Sequence, residues 1–238
     1  ELEALAALAT PAHDHPHWGA AVVDEAAERL AASALAHPLL PQDAAVANDV
    51  VVGPPGRLLL VTGSNMSGKS TLLRALGLNA VLARAGAPVA ATALTLPPLV
   101  PATSMRVADS LEQGVSHFMA ELRRLRRVVD AAEAAADGAP RVLYLVDEIL
   151  QGTNTAERQV AARHVLARLL RTRALGAATT HDLSLGEAPE LAPHVDAVHF
   201  QETVTDEGEG SGLSFDYRLR PGPATSVNAL RLMRLVGL

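Results

Sequence analysis

No cysteine occurs in the 238 residues, which excludes a disulfide frame, thiol catalysis and thiolate metal sites, and suits a reducing compartment. Aromatic residues make up only 3% of the chain, so its core must be aliphatic. No apolar run is long enough to span a bilayer and no signal-peptide pattern is present, so the chain reads as soluble and cytoplasmic. A basic excess is missing too. The formal net charge of −6 is spread along the sequence and sets up no global field to draw nucleic acid to this piece. If the protein handles DNA, other parts must grip it. No internal repeat is visible. The chain opens on Glu1 rather than Met, so it is expected to be a piece of something longer.

What is present is a 49% hydrophobic composition, rich in Ala and Leu, over a length that suits one large α/β domain with a small appendage. Its organising stretch is Gly63-Ser64-Asn65-Met66-Ser67-Gly68-Lys69-Ser70-Thr71, between the apolar run Leu58–Thr62 and the helical pattern that starts at Leu72. A buried strand, a glycine-rich loop and a helix in that order make a phosphate cradle, in which backbone N–H groups converge on an anion at a helix N-terminus. This is a P-loop. Gly63 and Gly68 let the chain wrap phosphates without a Cβ in the way, Lys69 can reach the β- and γ-phosphates of ATP, and the Ser70 hydroxyl is placed to ligate Mg²⁺.

Downstream, Val142-Leu143-Tyr144-Leu145-Val146-Asp147-Glu148 is a strand apolar on both faces that ends in two carboxylates. Alone, such a pair is equally a helix-capping turn. After a P-loop it reads as a Walker B strand, with Asp147 holding Mg²⁺ directly or through water and Glu148 orienting and deprotonating the attacking water. Leu175 to Asp182 is a further short strand ending in His181. A lone histidine at a strand end is usually structural, but this one emerges at the sheet edge of Asp147 and is a candidate γ-phosphate contact.

The rest of the chain frames these motifs. Residues 1–36 show helical spacing at Leu2, Leu5 and Leu8 and again at Val22, Val23, Ala26, Ala27 and Leu30, and are expected to be the helical remnant of an upstream lever domain. Between those segments, His13, Asp14, His15 and His17 invite a metal reading, but the flanking prolines and the lack of a second ligand cluster favour a plain inter-helix loop. Ala45–Val52, Pro88–Ala93 and Pro101–Val107 read as short strands. The helix after Phe118 carries Leu122, Leu125, Val128 and Val129 on one face and Arg123, Arg124, Arg126 and Arg127 mostly on the other, a solvated face or, less readily, a contact surface. Gly152-Thr153-Asn154-Thr155 caps another helix. Val195–Glu202 and Leu213–Arg220 read as an antiparallel hairpin, and Val227–Val236 as a final helix.

Taken together, the P-loop, Ser116-His117-Phe118-Met119-Ala120-Glu121, Asp147-Glu148-Ile149 with Gly152-Thr153-Asn154-Thr155, and Thr179-Thr180-His181 resemble the ATPase domain of the MutS family of DNA mismatch-repair and recombination ATPases, nearest to MutS-related proteins without the mismatch-reading domains. The resemblance implies an α/β fold, a P-loop NTPase of ABC-ATPase type: a mostly parallel central sheet flanked by helices with an antiparallel β part, over residues 37–238. It implies a homodimer closing on ATP, in which Ser116 of one copy reaches the other's γ-phosphate, although the family commonly has Ser-Thr-Phe where this chain has Ser116-His117-Phe118. The family's base-binding aromatic is absent from Ala45-Val46-Ala47-Asn48, and Tyr217 falls where many relatives place an adenine-stacking histidine, so Val46 and Tyr217 are expected to hold the base. A transporter-type ABC ATPase is disfavoured by the absence of a Leu-Ser-Gly-Gly-Gln signature. A nucleotide-gated scaffold that does not act on DNA stays open.

Overall fold

The computed structural model describes residues 2–105, 117–150, 155–205 and 212–224. In chain order they form α1 (Leu2–Asp14), β1 (Ala21–Val23), β2 (Leu30–Leu35), β3 (Asn48–Val52), β4 (Leu58–Thr62), α2 (Lys69–Ala85), β5 (Ala93–Leu96), β6 (Leu99–Ser104), α3 (His117–Ala134), β7 (Arg141–Val146), α4 (Thr155–Leu170), β8 (Leu175–Thr179), α5 (Ser184–Glu187), β9 (Val195–Thr205) and β10 (Gly212–Pro221). The expected final helix lies outside the described residues. No described helix is long and apolar enough to cross a membrane.

The strands make two mixed sheets. The larger has the order β10-β9-β4-β8-β7-β6, with parallel pairings from β6 through β9 and an antiparallel β9–β10 hairpin at its edge. Its centre is set by the continuous apolar runs. β4 and β8 are buried at every position, and β7 at all but its first. The strand period of two then divides their side chains. Leu59, Val61, Leu143 and Leu145 pack with α2 in one core, whereas Leu58, Leu60, Tyr144 and Val146 pack with α3 and α4 in a second. All three strands point their C-terminal ends at one edge, where the P-loop, Asp147 and His181 follow.

α2 starts after Gly68 and stops at Gly86, which adopts the left-handed conformation (φ 74°) while the Gly86 and Ala87 N–H groups cap the Ala83 and Leu82 carbonyls. The smaller sheet, β1-β5-β2-β3, closes the first core with Leu30, Leu35, Val50, Val52, Leu94 and Leu96. β5 and β6 flank Pro97-Pro98, where the chain leaves the smaller sheet for the larger.

The expectation of helix over 22–30 is corrected. Residues 21–23 and 30–35 are strands, and only α1, which continues through Pro11 to Asp14, is helical in the N-terminal piece. Alanine suits either period, but buried Leu30 and Ala32 alternate with exposed Ala31 in a period of two, and β3 and β5 offer hydrogen-bonding edges on both sides of β2. This sheet joins residues from both sides of the expected boundary at residue 36.

Close packing of Tyr144 against β8 depends on Gly176. A Cβ on Gly176 would lie 2.1 Å from the ring of Tyr144, whose buried hydroxyl has no hydrogen-bond partner among the described residues. Gly176→Ala is expected to cost roughly 1–3 kcal/mol by overpacking. Tyr144→Phe keeps the ring and removes the unpaired hydroxyl, so its stability is expected to equal or exceed the parent's. Urea unfolding midpoints check both.

Candidate nucleotide-binding site

The loop between β4 and α2 is built on two glycines that no other residue could replace without strain. Gly63 has φ 140°, and a Cβ there would meet the Phe200 carbonyl oxygen at 2.8 Å and Ser67 Oγ at 2.9 Å. Gly68 has φ 110°, and its Cβ would press on the Tyr217 ring at 3.3 Å. Met66, also at positive φ (66°), leaves its side chain 84% exposed at the loop tip. The hydroxyls of Ser64 and Ser67 are buried with no partner among the described residues. Lys69 is 4% exposed, and its Nζ donates to the carbonyls of Gly63 (2.9 Å) and Ser64 (2.7 Å). Burial pushes the Lys69 ammonium below its ordinary pKa, against the pull of Glu148, Asp147 and Glu202.

Asp147 follows β7 and is 7% exposed. Its Oδ1 accepts from the Ser70 hydroxyl at 3.0 Å and from the Thr179 hydroxyl at 2.7 Å, so strand, P-loop helix and β8 meet on one carboxylate oxygen. Thr179 in turn accepts the Glu148 N–H at 2.7 Å. Glu148 and Leu150 both have left-handed backbones (φ 50° and 58°), a conformation costing roughly 1–3 kcal/mol each. The bond from the Leu150 N–H to Glu121 Oε1 at 2.6 Å, together with Thr179, holds them there.

His181 bridges the two motifs. Its Nε2 lies 2.7 Å from Glu148 Oε1 and its Nδ1 3.2 Å from the Gly63 carbonyl. Both ring nitrogens face oxygen acceptors, which a neutral ring serves one at a time and an imidazolium serves together.

Beside the loop is a cavity of about 390 Å³, a size that suits a small ligand. Val46, Tyr217, Met66, Phe200, Leu72 and His37 are among its walls. Tyr217 sits at a bulge in β10 with φ 53°, its ring stacked on Phe215 with centroids 5.9 Å apart. Asn48 pins that bulge: Nδ2 donates to the Tyr217 carbonyl at 3.0 Å and Oδ1 accepts the Leu219 N–H at 2.7 Å. His37 Nδ1 accepts the Leu39 N–H, and burial plus the nearby Arg74 hold this imidazole below its ordinary pKa.

These residues fit a nucleoside triphosphate with its metal. The two unpaired serine hydroxyls, the free N–H groups opening α2 and Lys69 offer donors for phosphate oxygens, and a hydroxyl paired with a buried carboxylate is the oxygen donor set a hard divalent cation takes. The family model for MutS domain V matches residues 59–238. The chain belongs to the MutS family. Endonuclease MutS2 of Thermomicrobium roseum is 35% identical over 212 residues, 88% of this chain and 25% of that protein, so the chain spans about a quarter of that curated relative's length.

In this MutS-family domain, Gly63, Ser64, Ser67, Gly68, Lys69 and Ser70 gather with Asp147, Glu148 and His181, while Val46, Met66, Thr71 and Tyr217 line the neighbouring cavity and Asn65 is exposed. Ser116 and Gly152–Asn154 lie outside the described residues. Sequence reasoning gave no role to Thr179, Glu121 or Asn48. Each stands in a stretch quoted for the family resemblance, Glu121 after Ser116, Thr179 before His181 and Asn48 after Val46, and that placement is the signal that pointed to them.

Asn48→Ala should cost about 1–3 kcal/mol in denaturant unfolding, because it strands the Leu219 N–H and frees the bulge that carries Tyr217. The Arg220 hydrogen bond beside that bulge lowers the Asp216 pKa to about 2. A depressed carboxylate adds stability above its unfolded pKa of about 3.9 and loses it as pH falls through the folded value. The melting-temperature gap between parent and Asp216→Asn should therefore be constant above about pH 5 and shrink towards pH 2. The pair is partly exposed, so the gap is small.

Proposed function

We propose that this domain is a Mg-dependent ATPase of ABC-ATPase type, hydrolysing ATP to ADP and phosphate. The observation that carries the reading is the Ser70–Asp147 contact at 3.0 Å beside the Lys69 loop, a hydroxyl and a buried carboxylate of the kind a divalent cation would take. Ser70 and Asp147 would hold Mg²⁺, which would supply positive charge to offset that of the phosphates. Lys69, the serine hydroxyls and the α2 N–H groups bind the phosphates and stabilise charge on the transferring group. Glu148 orients the attacking water and accepts its proton, the water oxygen bonds to the γ-phosphorus, and the bond to the bridging oxygen breaks to release ADP. His181, which contacts Glu148 and the Gly63 carbonyl, would turn an N–H to a γ-phosphate oxygen. Val46 and Tyr217 take the base in the adjoining cavity.

The family supports a wider reading. ATP closes a homodimer through Ser116 in trans, hydrolysis reopens it, and the cycle drives DNA repair or recombination through parts of the protein outside these residues. The net charge of −6 agrees with DNA being gripped elsewhere, and it equally suits a nucleotide-gated scaffold. Glu148→Gln is expected to bind ATP, accumulate as a dimer by size-exclusion chromatography and lose turnover by about 10²–10⁴-fold. Parent-like turnover in that variant would refute the assignment. Stimulation of the full-length protein's ATPase by duplex, branched or mismatched DNA supports the repair reading, and indifference favours the scaffold.

A further inference from the structure

The residue at the apex of the site, His181, is held by a hydrogen-bonded triangle that motif reading does not reveal. Gln159, one turn into α4, donates Nε2–H to Asp182 Oδ2 at 2.8 Å and to Ser184 Oγ at 3.1 Å. Ser184 closes the triangle by donating its hydroxyl to Asp182 Oδ1 at 2.6 Å, and its N–H reaches the same oxygen at 3.0 Å. Both amide hydrogens of Gln159 are thereby used, and both oxygens of Asp182. On the other side of His181, the buried Thr180 accepts the Asp182 N–H on its hydroxyl at 3.0 Å, and its own N–H donates to Val61 of β4 at 3.2 Å. His181 is thus clamped between the central sheet and α4.

We infer that Gln159 is a positioning residue that fixes the His181 imidazole against Glu148 through Asp182 and couples that imidazole to movements of α4. The geometry carries the inference. The imidazole spans from Glu148 Oε1 at 2.7 Å to the Gly63 carbonyl at 3.2 Å, so a displacement of the loop by 1 Å breaks one or both contacts. A rigid carboxylate–amide–hydroxyl triangle prevents that displacement, and a neutral amide does so without placing another charge beside Asp182. α4 begins at Thr155, shortly after β7 delivers Asp147 and Glu148, and Arg163 ties the same helix to Glu190 at 3.6 Å. A shift of α4 therefore moves Asp182, and with it the ring at the reacting end of the nucleotide.

This inference rests on the ATPase reading, and steady-state ATP hydrolysis by the full chain separates the two. Gln159→Leu, close in size but without the amide, is expected to lower kcat by roughly 10- to 100-fold with KM for ATP within about threefold, as misplacing a reacting group does. Gln159→Glu sets two carboxylates face to face and should be at least as slow. The reversed pair Gln159→Glu with Asp182→Asn restores a donor and an acceptor with opposite polarity, and should recover kcat to within about threefold of the parent, which a loss of general stability would not do. Parent-like kcat in Gln159→Leu, or a reversed pair no faster than Gln159→Glu, overturns the positioning role alone. No turnover in the parent chain overturns the ATPase reading and this inference with it.

Discussion

The hydrogen bond from the Ser70 hydroxyl to Asp147 spans 77 positions of sequence, and the arrangement of the whole larger sheet is what brings its ends together. β4 and β7 both flank β8 in parallel, so the chain leaving each strand emerges at one edge. A carboxylate 7% exposed is buried at low cost only when hydrogen-bonded, and the Ser70 and Thr179 hydroxyls both donate to its Oδ1. Parallel strands with both faces covered exclude water from the floor of the crevice, which strengthens each of these polar contacts.

Strain is concentrated where the site needs fixed geometry. The residues after β7 adopt left-handed backbones that ordinary side chains avoid, and a threonine from β8 and a glutamate from α3 hold them. The neighbouring cavity follows the same pattern, since Tyr217 lines it from a bulge in β10 that Asn48 ties to β3. In both places an irregular backbone is stabilised by polar side chains from other elements, two after β7 and one at the bulge, a small number of bonds on which the position of several site residues depends. Helices α3 and α4 cover one face of the sheet and also reach into the crevice, through Glu121 and through Gln159. Packing that stabilises the domain is therefore also the route by which a shift of either helix would reach the sheet edge that carries Lys69 and Asp147.

Membership of the MutS family gives this geometry its biological setting, and the nucleotide-driven closing and opening proposed above would move whatever is attached to the domain. The relative that shares 35% identity is about four times as long as the matched region, and the DNA-handling proposed for the protein belongs to that larger context.

The phosphate loop, the strand ending in Asp147 and Glu148, and the strand ending at His181 were legible in the chain itself. Glycine spacing, continuous apolar runs and carboxylates at their ends are local patterns, and the glycine-rich loop narrows the readings that the carboxylate pair and the histidine each have alone. The strands of residues 21–35 were not, because alanine-rich segments satisfy helical and strand periods alike and only the edges of β3 and β5 decide between them. The tertiary structure also decided which polar side chains serve the site. Thr179, Asn48 and Glu121 stand in motif stretches that assign them no task and Gln159 stands in none, and each acquires its role from a hydrogen-bond partner at least 23 positions away, which only the packed sheet and helices bring within reach.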